Sequence, residues 1–98
     1  VVGGVRVLET SADLALLLAI VSSFRDRPLP RDLVIFGEVG LAGEIRPVPR
    51  IDQRIGEAEK LGFTRIFISS HAKTSLKKPG IEIVRVGKVE DLLRRLFG

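Results

Sequence analysis

Residues 37 to 48, Gly-Glu-Val-Gly-Leu-Ala-Gly-Glu-Ile-Arg-Pro-Val, constrain the fold most. The apolar run Leu33-Val34-Ile35-Phe36 precedes them, and an amphipathic pattern starts near Arg50. Gly40 and Gly43 bracket Leu41-Ala42, and glycine supplies the positive φ that tight turns demand. The stretch therefore predicts two strands, 33–39 and 44–48, joined by a short turn. Pro47 and Pro49 end the second strand, because proline has no N–H to give to a ladder.

The rest of the chain arranges itself around that hairpin. Residues 1–8 read as a strand with a bend at Gly3-Gly4, and alternation puts Arg6 on the face opposite Val5 and Val7. Thr10 to Asp13 has the spacing of a capping box, which predicts a helix over 11–24. Its run from Leu14 to Val21 has no polar face, so the helix is expected to be buried on most sides, with Leu14, Leu17, Leu18 and Val21 in the core. Arg25 to Asp32 is a loop fixed by Pro28 and Pro30. From Arg50, Ile51, Ile55 and Ala58 fall at helical spacing, and Gly62 stands where a helix ends, with Phe63 beside it. Strands follow at 64–69 and 81–86, separated by the polar, basic stretch 70–80. A last helix at 88–97 carries Val89, Leu92, Leu93, Leu96 and Phe97 on one stripe. Glu90 and Asp91 in its first turn and Arg94 and Arg95 in its last suit the helix dipole. This order predicts an α+β fold of two layers, a mixed sheet packed against helices, in a single domain over 1–98.

Composition removes several function classes. With no cysteine and only His71, a thiolate or histidine metal site is not expected. Five phenylalanines are the only aromatics, too few for a base-stacking platform. The longest apolar run, 14–21, is far short of the roughly 20 residues of a membrane span. No basic segment precedes an apolar one at Val1, so no signal peptide is read there. The expected location is the cytoplasm. The chain opens inside a strand-like run without a start methionine, which points to a piece of a longer protein or a processed one. The net charge of +4 suits a polyanionic partner. The candidate phosphate contacts are Arg25, Arg27 and Arg31 in one loop, Arg50 and Arg54 one helical turn apart, and Lys73, Lys77 and Lys78 in the later loop. The bland alternative is a solvated surface with arginines paired to neighbours such as Asp26 and Asp32. Neither glycine cluster has Walker spacing, and both read as a bend and a turn. His71 reads as a solvated loop side chain.

The hairpin also carries a resemblance. With Val1-Val2-Gly3-Gly4-Val5, Glu9-Thr10-Ser11-Ala12-Asp13-Leu14-Ala15, Arg25-Asp26-Arg27-Pro28-Leu29-Pro30 and Ile55-Gly56-Glu57-Ala58, it resembles the C-terminal domain of the RadA (Sms) family of bacterial DNA-repair proteins. That domain is similar in fold to the proteolytic domain of Lon. Residues 1–63 fit closely, and 64–98 fit in pattern. By this resemblance Ser11 falls on the Lon nucleophile and Asp52 on the lysine that would activate it. A Ser–Lys pair needs an amine of lowered pKa, which an aspartate cannot supply. Lys60 lies about 12 Å along the helix, too far to substitute. The resemblance implies no catalysis by this chain, with Ser11 as a helix-start residue. It implies a DNA-dependent ATPase in the full-length protein, with ATP, Mg and Zn bound only in N-terminal parts absent here. It further implies a hexameric ring of like subunits, sequence-independent contact with single- or double-stranded DNA, and a role in branch migration. The alternative is a Lon-type serine peptidase domain, active or degenerate.

Overall fold

The apolar runs 34–36 and 66–68 become neighbouring parallel strands at the centre of the molecule. The computed structural model describes residues 12–26, 34–76 and 80–98. The strand expected at 1–8, the cap at Thr10, Ser11, Arg27, Arg31, Lys77 and Lys78 lie outside those residues. So do the side chain of Leu14 and most of the proline loop. The described elements are α1 (Ala12–Arg25), β1 (Ile35–Phe36), β2 (Glu38–Val39), β3 (Ile45–Arg46), α2 (Ile51–Lys60), β4 (Arg65–Ser69), β5 (Glu82–Val86) and α3 (Val89–Phe97).

One sheet has the order β1-β4-β5, all parallel, with Ile35 opposite Phe67 and Phe67 opposite Val84. Parallel neighbours need a crossover, and α2 supplies the one between β1 and β4. Side chains alternate along each strand, so the two faces feed two cores. Val34, Phe36, Ile66 and Ile68 pack with Ile51, Ile55 and Ala58 of α2. Ile35, Phe67 and Val86 pack with Leu18 of α1 and Leu92, Leu96 and Phe97 of α3. Strands buried on both faces read as unbroken apolar runs, which is why 34–36 and 66–68 show no alternation of polarity. The α+β class with a mixed set of strands against helices is as expected. Among the described residues, α2 packs on one face of the parallel sheet and α1 and α3 on the other.

The hairpin forms as predicted, with Glu38 opposite Arg46 and Val39 opposite Ile45 in antiparallel register. The turn closes through Gly43 N–H to Gly40 O at 3.0 Å and Gly40 N–H to Glu44 O at 2.8 Å. The expected single strand 33–39 is instead divided. Its first half pairs with β4, its second with β3, and Gly37 lies between. A Cβ at Gly37 would stand 2.7 Å from Ile45 Cγ2, so glycine there lets β3 close on the chain as it changes partner. The hairpin is fastened to the start of α3 by Ile45 N–H to Gly87 O and Val89 N–H to Gly43 O, both 2.9 Å. Beneath it, the wholly buried Ser69 donates its hydroxyl to Ile45 O at 2.7 Å and accepts the His71 N–H at 3.0 Å.

Helix ends follow their local signals unequally. At the end of α2, Gly62 takes φ 90, and Gly62 N–H to Glu59 O and Phe63 N–H to Ala58 O, each 3.1 Å, complete a Schellman motif. Helix α1 departs from the expectation of near-complete burial. Leu18 is fully buried, but Leu17 and Val21 are half-buried, Ile20 is 56% exposed and Phe24 90%. Among its described side chains, Leu18 and Val21 meet the core and Ile20 and Phe24 do not, so an apolar composition did not translate into burial of every side chain.

Candidate functional site at the start of the second helix

Pro47 and Pro49 stop β3 and turn the chain into α2. Arg50, the residue before the helix, has φ 58 and ψ 44, a left-handed conformation rare outside glycine, and no side-chain cap bond. Asp52, in the first turn, turns its carboxylate toward the connection between β4 and β5. Thr74 Oγ1 donates to Oδ1 and Ser75 Oγ to Oδ2, while the Ser75 N–H donates to Oδ2 at 3.2 Å. The Thr74 hydroxyl oxygen also accepts the Leu76 N–H at 3.2 Å. These donors hold the Asp52 carboxyl below its ordinary value of 3.8. The Ser75 hydroxyl acts most and the Thr74 hydroxyl next, with desolvation opposing and the Ser75 amide adding a little.

The result is a short acid that stays ionised and is committed to three donors. Such a group is a poor acceptor for a serine proton. Lys60 is the last residue of α2, at the end opposite Asp52.

Between the β3–α2 corner and the 71–73 segment lies an open cleft edged by Arg50, Asp52, His71 and Lys73, with Val48 and Ile51 in its wall. A second, smaller depression on α2 is lined by Arg50, Gln53, Arg54 and Glu57. Arg54 Nε donates to Pro49 O at 2.8 Å. Thus Arg50, Arg54 and Lys73 gather around the start of α2. Arg25 does not join them. Its guanidinium stands 5.9 Å from the centre of the Phe97 ring, in the layer on the other face of the sheet.

Sequence reading missed two things. One is the arginine group on β5 and α3, where Arg85, Arg94 and Arg95 line a shared depression with Asp91. Asp91 pairs with Arg94 at 3.1 Å, and Arg85 Nη1 donates to Ala72 O at 2.7 Å. The Arg94-Arg95 pair was visible in the chain but read only as a helix-end charge. The other is the pairing of Asp52 with Thr74 and Ser75, for which the sequence offers no local signal. Among the described residues no group of three His, Cys, Asp or Glu side chains could hold a metal ion. No described helix is long and apolar enough to cross a membrane.

Comparison with known proteins agrees with this frame. RadA, named a DNA repair protein, is 64% identical in Escherichia coli over 94 residues, 95% of this chain and 20% of that protein. The Pseudomonas aeruginosa protein of the same name is 50% identical over 97 residues, 99% of this chain and 21% of its own length. That of Streptococcus pneumoniae is 43% identical over 96 residues, 97% and 23% respectively. The chain thus spans about a fifth of the length of these relatives. The Lon protease (S16) C-terminal proteolytic domain matches residues 3–97. With a match running through both cores, the hairpin and the three described helices, the chain belongs to the Lon protease (S16) C-terminal proteolytic domain family.

Proposed function

We propose that this chain is a non-catalytic Lon-like domain of a RadA-type DNA repair and recombination ATPase. It acts as a ring-forming scaffold and a DNA-contacting surface during branch migration. The observation that carries the non-catalytic reading is Asp52. It occupies the position at which the Lon resemblance requires an amine, and its carboxylate is engaged by Thr74 and Ser75. The relatives' name, DNA repair protein, and the basic residues around the start of α2 support the DNA role. Phosphate contact asks only for cations on one surface, without aromatics or base-reading geometry.

In this reading the surface grips backbone phosphates of single- or double-stranded DNA without regard to sequence. A hexameric ring multiplies weak contacts through effective concentration. ATP, magnesium and zinc belong to other segments of such a protein, and the whole works in the cytoplasm. Arg25, Arg27, Arg31, Arg50, Arg54, Lys73, Lys77 and Lys78 are the contact candidates. The test is peptide hydrolysis: the chain should leave an unfolded protein substrate intact, and Ser11→Ala should alter stability alone. Hydrolysis that disappears in Ser11→Ala, or labelling of Ser11 by a serine-reactive probe, would establish the Lon-type peptidase instead.

A further inference from the structure

An acidic residue in a basic cleft calls for an explanation. Asp52 edges the same cleft as Arg50 and Lys73, where a free carboxylate would repel an anion. Its charge remains, but its oxygens are not free to accept from a ligand. Both carboxylate oxygens are taken by the Thr74 and Ser75 hydroxyls, and one also by the Ser75 amide. Those residues directly follow Lys73. Asp52 therefore ties the segment that carries Lys73 to the first turn of the helix that follows Arg50.

We propose that Asp52 is a positioning residue. Its clamp on Thr74 and Ser75 sets Lys73 opposite Arg50, and the cleft between these two cations takes a phosphate group of a nucleic-acid backbone. The two cations come from different segments, the β3–α2 corner and the β4–β5 connection, so their spacing depends on a tertiary tie. The wall offers Val48 and Ile51 and no phenylalanine, tyrosine or tryptophan, and His71 is its one ring, which suits a phosphate better than a stacked base. This inference rests on the DNA-contacting reading above and adds to it a site and the residue that shapes it.

The clamp and simple electrostatics predict opposite signs. Removing a carboxylate beside two cations should strengthen anion binding if charge alone matters. If Asp52 positions Lys73, removing it should weaken binding. The experiment titrates the full-length protein containing this domain with a fluorescein-labelled duplex of arbitrary sequence, across a range of salt concentrations. Arg50→Gln and Lys73→Gln should each weaken binding and lower the slope of log K against log[salt] by about 0.9 for every contact withdrawn. Asp52→Ala should weaken binding too, with the slope change of Lys73→Gln, and should add nothing in the Lys73→Gln background. Thr74→Val with Ser75→Ala breaks the clamp from the other side without changing charge. It should reproduce Asp52→Ala, and it decides the matter if Asp52→Ala fails to fold. Unchanged or tighter binding in folded clamp variants, with Arg50→Gln and Lys73→Gln still weakening it, would overturn the clamp and leave the DNA role standing. Wild-type affinity in Arg50→Gln and Lys73→Gln would overturn this cleft as the site. Wild-type affinity and slope in a protein lacking the whole domain would remove the DNA role itself, and the clamp with it.

Discussion

Ser69 is the buried polar residue on which the joint between hairpin and sheet turns, and Ser69→Ala measures that joint. The residue is fully buried, and its hydroxyl has two partners. Ile45, whose carbonyl accepts the hydroxyl at 2.7 Å, is fully buried as well. Alanine fills nearly the same volume, so no cavity contributes. The cost is that of leaving a buried acceptor without its donor, about 1–3 kcal/mol. The His71 N–H adds little, because His71 is exposed and water can replace the lost acceptor. With a urea m-value of about 1 kcal/mol/M for a small domain, the midpoint should fall by roughly 1–3 M. Ser70→Ala is the control: Ser70 is exposed, and its substitution should stay within about 0.5 kcal/mol. Equilibrium urea unfolding followed by circular dichroism reads both. Coincident curves for Ser69→Ala and wild type would refute the argument that this hydroxyl holds the hairpin to the sheet.

Leu18→Ala should destabilise by about 2–5 kcal/mol, because Leu18 is fully buried, whereas Ile20→Ala on the exposed side of α1 should cost far less; equal losses would contradict this division of the helix between core and solvent. Gly62→Ala should cost about 1–2 kcal/mol from the left-handed backbone alone, since nothing lies within 4 Å of the added Cβ; a neutral result in thermal melts would mean the helix end can re-form without φ 90. The Asp52 carboxyl is depressed on folding, so its contribution is fully present above 3.8 and is lost as pH falls through the lower folded value. Acid titration of stability should therefore show a loss below about pH 4 that is reduced in Asp52→Asn; identical acid profiles would show that Thr74 and Ser75 do not favour the ionised form.

What the sequence disclosed and what it withheld divide along the distance between interacting residues. The Schellman end at Gly62, the hairpin turn and the apolar stripe of α3 are set within a few residues, and each was readable from spacing. The change of partner at Gly37 was not, because it depends on β4, some thirty residues later, competing with β3 for one extended segment. Helix α1 misled for a related reason: an apolar run states what a helix can bury, while the distant segments packed against it decide what it does bury. The site follows the same rule. Asp52 near the start of a helix would, by itself, be read as a complement to the dipole. Its partners, Thr74 and Ser75, come from a connection that the parallel pairing of β4 and β5 brings back over the start of α2. That parallel pairing requires a crossover, the crossover carries Lys73, and a short acid at position 52 accepts the hydroxyls that follow it. A lysine at position 52 would have only donors to present to those hydroxyls and to the Ser75 N–H. Only an acceptor fits between those donors, so the carboxylate that fastens the loop could not be exchanged for an amine without releasing Thr74 and Ser75.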